Sequence, residues 1–120
     1  MSSVDEIVAW YGAAWNADEA ERRDLLDKSW VDDGVYCDPT ATAEGREALV
    51  QHIGGFQVSR PNHRIELTSG IDEHDGRFRF TWELRSPDGA TLTGGIDFGT
   101  LSGDGRIASI TGFFGPVPPK

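Results

Sequence analysis

Three polar side chains occupy positions from which they could bind or transfer a proton. Asp38 follows a short apolar run and precedes Pro39, so its carboxylate could be a general base at a strand end or could simply open a turn. Tyr11 lies on the apolar side of a predicted helix, where a buried hydroxyl needs a hydrogen-bonding partner, either a ligand or the backbone. The residue types are therefore compatible with proton transfer, and each also has an ordinary structural explanation.

Asp97 is more unusual, because it lies inside a predicted strand, where aspartate is uncommon. It shares one side of that strand with Thr91, Thr93 and Gly95, and this side could face a pocket or the solvent. In an apolar pocket, burial would raise the pKa of Asp97 and keep the carboxyl protonated. In solvent, Asp97 would be an ordinary surface carboxylate.

Aromatic side chains are frequent for so short a chain, with four Trp, six Phe and two Tyr in 120 residues. They could form the core, or they could line a site for a flat hydrophobic ligand. His52 lies on the inner side of a predicted helix and could be an acid–base group in such a pocket. The residues predicted to line the pocket are Trp15, Trp30, His52, Phe56, Phe80, Trp82 and Phe114.

Charge and composition exclude several functions. Twenty acidic residues against eleven basic ones give a net charge of −9, which disfavours binding to nucleic acid or to an anionic membrane surface. Cys37 is the single cysteine, the three histidines have no metal-site spacing, and no phosphate-binding glycine loop occurs. We therefore expect no metal, no nucleotide cofactor, no disulfide and no membrane association, and a cytoplasmic location.

The apolar periodicity changes from helical to alternating near residue 60. The second helix is expected to expose Glu19, Glu21, Arg22 and Arg23, and Gly94-Gly95 suggests a bulge, a bend or close approach of a ligand. Helices are predicted at 4–15, 18–30 and 45–53. Strands are predicted at 35–37, 64–72, 78–85, 91–101 and 106–115.

This order predicts an α+β fold, in which three N-terminal helices pack on a curved, mostly antiparallel sheet. Such a sheet with helices on its concave side forms a cone that encloses a pocket. The length favours one domain, predicted at 1–115, followed by a proline-rich tail at 116–120.

At this point the chain resembles the nuclear transport factor 2-like superfamily, and within it the SnoaL-like polyketide cyclases and the Δ5-3-ketosteroid isomerases. The resemblance extends over nearly the whole chain up to Gly115. The chain departs from the isomerase pattern in two places: it has extra residues at 18–23, and it has His52 where a large apolar side chain is expected. The matching segments are YGAAWN at 11–16, VYCDP at 35–39, GIDF at 95–98, GRI at 105–107 and GFFG at 112–115.

The resemblance implies a small, cofactor-independent enzyme that abstracts a proton α to a carbonyl of a hydrophobic steroid, polyketide or terpenoid. Asp38 would be the base, while Tyr11 and a protonated Asp97 would hold the enolate oxygen. It also implies a homodimer formed through the outer face of the sheet. That interface would be polar, with Arg77, Arg79, Glu83 and Arg85.

Two other functions fit the same sequence. A non-catalytic module for a small hydrophobic ligand would use the same aromatic pocket, and it would be favoured if Asp97 faced the solvent. An epoxide hydrolase of this superfamily would need an Asp-Arg-Asp arrangement. Arg79 or Arg85 would then have to enter the pocket, although alternation places both opposite Phe80 and Trp82.

Overall fold

The computed structural model describes residues 2–120 and contains three helices and seven strands. Residues 115–120 form neither helix nor strand. The helices are α1 (Val4–Ala14), α2 (Glu19–Ser29) and α3 (Arg46–Ser59). The strands are β1 (Trp30–Asp38), β2 (Ala41–Glu44), β3 (Arg64–Leu67), β4 (Asp72–His74), β5 (Arg77–Arg85), β6 (Thr91–Leu101) and β7 (Ile107–Phe114).

The first two helices begin at side-chain caps. The Ser3 hydroxyl accepts a hydrogen bond from the backbone N–H of Glu6, and the Asp18 carboxylate accepts one from Glu21, so each cap satisfies an otherwise free donor. α1 buries Ile7, Val8, Tyr11 and other residues of its apolar stripe. The cap and the stripe together fix Tyr11 on the side of α1 that faces the sheet.

The third helix is longer than the sequence predicts, because it continues through Gly54 and Gly55 to Ser59. Each glycine inside a helix costs about 1 kcal/mol relative to alanine. Burial of apolar side chains on α3, including Leu49 and Ile53, offsets this cost. The extension carries the last turn of α3 along the wall of the cavity described below.

Arg22 is a correction to the predicted outer face of α2, because it is only 5% exposed. Its guanidinium donates hydrogen bonds to the carbonyl oxygen of Val50 at 3.3 Å and to the side-chain oxygen of Gln57 at 2.9 Å. A long arginine side chain can bury its stem while its nitrogens find acceptors elsewhere. Arg22 therefore joins α2 to α3 instead of facing solvent.

The sheet is mixed, with strand order β2-β1-β7-β6-β5-β3 and with β4 paired to β5. β1 runs parallel to β7, and the other pairs are antiparallel. The helices cover one face of the sheet, and the outline resembles an open cone. The predicted α+β class, with three helices on a curved, mostly antiparallel sheet, is confirmed.

Three details of the predicted sheet were wrong. β1 begins at Trp30 instead of at residue 35, β2 was not predicted, and the strand predicted at 64–72 is divided into β3 and β4. The segment Asp32-Asp33-Gly34 has low strand propensity, so its sequence indicated a turn. Trp30 before this segment and Val35 after it both pair with β7, and the register is irregular between them, so the segment is held at both ends by the sheet.

The sheet face away from the helices carries charged and apolar residues. Arg77 and Arg79 lie on it, but so do Phe98 and Phe113, which are 41% and 55% exposed and pack edge to face with ring centroids 6.1 Å apart. This face is less polar than the sequence suggests, and the homodimer expected through it stays a prediction. Within residues 2–120, no helix combines the length and the apolar character that crossing a membrane requires.

Trp30 is fully buried in the core. Its replacement tests how much the stability of the fold depends on the indole ring. Trp30→Ala should lower the free energy of unfolding by about 3–5 kcal/mol, because it leaves a cavity beneath α1. Trp10→Ala is the matched control, since Trp10 is only partly buried and lies under the ammonium of Lys28. Urea unfolding followed by circular dichroism measures both losses. Equal losses would contradict the central position of Trp30.

Candidate active site

A cavity of about 580 Å³ lies between the helices and the inner face of the sheet. Its volume is in the range of small-molecule sites. Polar groups from α1, β1, α3 and β6 converge in it, namely Tyr11, Asp38, His52 and Asp97. The apolar part of its wall consists of Trp15, Tyr36, Phe56, Ile65, Leu67, Phe80, Trp82, Leu84 and Phe114.

Nine of the ten predicted site residues line this cavity, and Trp30 is the exception. Trp30 is fully buried at the start of β1, where its ring stacks on Tyr11 with centroids 5.6 Å apart. α2 ends one residue earlier than predicted, so the indole enters the core behind Tyr11 and does not reach the cavity wall. The nine are Tyr11, Trp15, Asp38, His52, Phe56, Phe80, Trp82, Asp97 and Phe114.

Asp38 opens a turn and also lines the cavity, so its role as a general base stays a prediction. Its Oδ1 accepts hydrogen bonds from the N–H and hydroxyl of Thr40 at 2.7 and 2.6 Å, and from the N–H of Ala41 at 3.1 Å. Its Oδ2 accepts one from the Tyr36 hydroxyl at 2.6 Å and lies 3.8 Å from Nε2 of His52. Burial acts to raise the pKa of Asp38, but the bonds from Thr40 and Tyr36 outweigh it and lower the pKa.

Tyr36 is a site residue that the sequence analysis missed. Its hydroxyl holds Asp38, and its ring packs against His52 with centroids 5.3 Å apart. Burial raises the pKa of the Tyr36 phenol, as do the neighbouring Tyr11 and the bond to Asp38, so Tyr36 stays a donor. The sequence did contain a signal for Tyr36. Residues two apart in a strand share a face, so a residue two positions before Asp38 should face the same pocket as Asp38.

Asp97 is the second carboxyl of the cavity and is only 6% exposed. The indole N–H of Trp82, on the neighbouring strand β5, donates a hydrogen bond to its Oδ1 at 3.0 Å. Burial raises the pKa of Asp97 to about 7; the Trp82 bond opposes this rise, while the charge of Asp38 adds to it. At neutral pH a large share of Asp97 is therefore protonated, whereas Asp38 is ionised.

Two glycines make room for this arrangement. A Cβ at Gly95 would overlap the indole of Trp82, and a Cβ at Gly112 would lie 2.8 Å from Oδ1 of Asp97. The ladder is regular around Gly95, which pairs with Trp82 and Phe114. The predicted bulge or bend at Gly94-Gly95 is therefore absent from the described sheet, and the glycine admits a side chain of the protein.

Tyr11 contributes a phenol to the same cavity. Burial raises the pKa of Tyr11 well above its ordinary range, and the nearby Asp97 and Asp38 add to the rise, while a hydrogen bond with Trp15 opposes it. The phenol therefore remains protonated at any ordinary pH, and its O–H can donate a hydrogen bond. One carboxyl with a lowered pKa, one with a pKa raised to about 7 and one phenol thus line the same cavity.

The Asp-Arg-Asp arrangement of an epoxide hydrolase is not formed by the predicted arginines. Arg79 and Arg85 pair with acidic residues, and neither lines the cavity. Arg60 does line the cavity, but it forms no ion pair with Asp38 or Asp97. Residues 2–120 also contain no cluster of three or more His, Cys, Asp or Glu side chains suited to a metal ion.

The geometry matches known structures, although no family model and no curated protein matches the sequence. A candidate isomerase of the SnoaL-like family from Agrobacterium tumefaciens strain C58 is 35% identical, with a TM-score of 0.87 over 92% of this chain and 95% of that one. An NTF2-like protein of unknown function from Exiguobacterium sp. 255-15 is 18% identical, with a TM-score of 0.73 over 92% and 99%. A candidate polyketide cyclase from Sinorhizobium meliloti is 19% identical, with a TM-score of 0.70 over 88% and 92%.

These similarities identify the family. The two more distant structures show that the fold is that of the NTF2-like proteins, a class built as a curved sheet covered by helices. The similarity to the Agrobacterium protein extends over almost the whole of both chains. The chain belongs to the SnoaL-like family.

The pKa of Asp97 predicts how stability changes with pH. Because this pKa rises from 3.8 to about 7 on folding, the carboxyl stabilises the fold most below pH 4, and that contribution disappears as the pH rises to 7. Over this pH range, the contribution of Asp97 to the free energy of unfolding changes by about 4 kcal/mol. Asp97→Asn should therefore gain stability relative to the wild type between pH 4 and pH 8, as measured by urea unfolding.

Asp24→Asn is the control for this experiment, because Asp24 is exposed on α2. It should not reproduce the gain in stability that is expected for Asp97→Asn. A constant difference between Asp97→Asn and the wild type over the same range would show that Asp97 titrates as it does in the unfolded chain.

Proposed function

We propose that this protein is an enzyme of the isomerase or cyclase type that transfers a proton at the carbon α to a carbonyl of a hydrophobic small molecule. The observation that carries the proposal is that two carboxyls in contrasting surroundings line one cavity: Asp38 accepts four hydrogen bonds, which lower its pKa, whereas Asp97 is buried, which raises its pKa. A pair of titratable groups driven apart in this way is typical of acid–base sites. The similarity to a candidate isomerase over almost the whole chain supports the same class.

Asp38 would supply the base through Oδ2. Its Oδ1 already accepts three hydrogen bonds, whereas Oδ2 accepts one from Tyr36 and has a lone pair left for the substrate proton. The C–H bond breaks, its electron pair forms the enolate double bond, and the proton moves to Oδ2. Return of that proton to another carbon gives an isomer. Alternatively, the enolate carbon attacks a second carbonyl and closes a ring, and the alkoxide that forms takes the proton back from Oδ2.

Tyr11 and protonated Asp97 would hold the enolate oxygen. Both can donate a hydrogen bond, both line the cavity, and the charge of Asp97 contributes to the raised pKa of Tyr11. Since the pKa of Asp38 is lowered, this carboxylate is a weak base, so stabilisation of the oxygen has to supply the larger part of the rate. The step uses side chains alone and needs no cofactor. The substrate would be a steroid, a polyketide or a terpenoid.

A non-catalytic module for a hydrophobic ligand is the second candidate. It is favoured by the four hydrogen bonds that Asp38 accepts, because they reduce its basicity. The burial of Asp97 argues against a binding module, since a site that only binds a hydrophobic ligand gains nothing from a desolvated acid near a second carboxylate. We therefore favour the enzyme.

Binding of 2-naphthol, a phenol that mimics an enol, tests the assembled site. Asp38→Asn should tighten binding of the naphtholate roughly tenfold, because it removes a nearby negative charge, and Asp97→Asn should weaken it by a similar factor. Asp24→Asn should leave the affinity unchanged. Fluorescence titration across pH gives the dissociation constants. If the compound binds and neither cavity substitution matters, the binding-module function replaces the enzyme.

Proton exchange at the α carbon of 2-tetralone in D2O tests turnover. The wild type should accelerate deuterium incorporation, and Asp38→Asn should reduce that acceleration about 10²–10⁴-fold. Ionisation of Asp97 removes a donor, so the rate should fall as the pH rises through about 7, and this fall should be absent in Asp97→Asn. Nuclear magnetic resonance follows the exchange. A wild-type rate no higher than that of buffer at saturating 2-tetralone would argue against catalysis.

A further inference from the structure

Arg60 is the only arginine or lysine among the residues that line the cavity. It follows the last residue of α3, and its side chain is exposed to solvent at the cavity. Within residues 2–120, no carboxylate lies within ion-pair distance of its guanidinium, and the side chain donates no hydrogen bond to the protein. Its five donors are therefore free for a ligand.

Seven of the nine arginines have a partner within residues 2–120, whereas Arg60 and Arg64 have none, and of these two only Arg60 lines the cavity. Twenty acidic residues are present, and five other arginines form ion pairs with them. Arg22 instead donates hydrogen bonds from its two terminal nitrogens to backbone and amide oxygens. The paired arginines are Arg23, Arg46, Arg79, Arg85 and Arg106.

Arg60 lies at the end of α3, the same helix that places His52 beside Asp38. His52, Phe56 and Ser59 line the cavity from one side of α3, and Arg60 follows them at its end. Arg60 comes eight positions after His52, which lies beside Asp38, and eight positions of a helix rise about 12 Å. The backbone of Arg60 is therefore about two helical turns from the residue beside Asp38, and Phe56 lies between them on the same side of α3.

Resting on the function proposed above, we propose that the substrate is a hydrophobic ketone that carries a carboxylate at the end remote from the reacting carbonyl, and that Arg60 binds this carboxylate. A protein of net charge −9 with an ionised Asp38 repels an anionic ligand unless a local cation receives it. The planar guanidinium can bind a carboxylate by donating two parallel hydrogen bonds to its oxygens. Arg60 would thus select carboxylated substrates and fix their direction in the cavity.

The test compares two probes of one shape, 4-phenylphenol and 4′-hydroxybiphenyl-4-carboxylic acid, whose carboxylate lies opposite the phenol. The wild type should bind the acid about tenfold more tightly than the neutral phenol. Arg60→Gln should abolish or reverse this preference without changing the affinity for 4-phenylphenol, and Arg60→Lys should retain part of it. The preference should also decrease with added NaCl.

Arg64→Gln is the matched control, because it removes the same charge from an exposed arginine close in sequence that does not line the cavity. It should keep the preference for the acid. Equal losses in Arg60→Gln and Arg64→Gln would overturn the proposal, since they would reflect only the total charge of the protein. Tighter binding of the neutral phenol by the wild type would overturn it as well.

The same titrations separate this proposal from the proposed enzyme. Weaker binding of 4-phenylphenol by Asp97→Asn reports on the oxygen-binding donors and does not involve Arg60. If Asp97→Asn has this effect while Arg60→Gln leaves the acid unaffected, the enzyme stands and the carboxylated substrate is rejected. If Arg60→Gln abolishes the preference for the acid while Asp97→Asn leaves the binding of 4-phenylphenol unchanged, the cavity selects carboxylates but contains no oxyanion site. Failure of both probes to bind would overturn both proposals.

Discussion

Burial of the Asp97 carboxyl is the constraint on which the rest of the cavity depends. A carboxylate with so little exposure is costly unless it is protonated or bonded. The surrounding sheet provides one donor, the Trp82 indole, and it can do so only because Gly95 and Gly112 leave space for the ring and for the carboxyl. A single buried acid therefore accounts for an aromatic residue on one neighbouring strand and a glycine on the other.

The two acids of the cavity differ because their surroundings differ. Asp38 lies at the end of β1, where the turn that follows brings the N–H groups of Thr40 and Ala41 to its Oδ1, and Tyr36 reaches Oδ2 from the same strand. Asp97 lies in mid-strand with one donor and apolar neighbours. Hydrogen bonds thus keep the first acid ionised, whereas desolvation keeps the second protonated, and the negative charge of the first reinforces the protonation of the second.

Much of the fold was predictable where the sequence pattern is strong. The alternation in β5 and β6 and the apolar stripe of α1 gave bounds within about a residue of the structure. The parts that were missed depend on partners distant in sequence. The acidic start of β1 stays in the sheet through β7, and Arg22 is buried because acceptors on α3 receive it. Trp30 was assigned to the cavity because an aromatic residue at the end of a helix carries no signal of which side of the core it will enter.

The sequence by itself determined which residues are available: enough aromatic and apolar residues for a core with a cavity, and two carboxyls and a phenol in segments that meet there. It also determined the order of the elements, because the apolar period changes from that of a helix to that of a strand. Only the tertiary structure decided which groups would be charged and what lies beside them. Protonation depends on solvent exclusion and on donors from other strands, and neither is a property of a local segment. The same reason applies to Arg60, whose lack of an acidic partner becomes evident only when the chain is folded around the cavity.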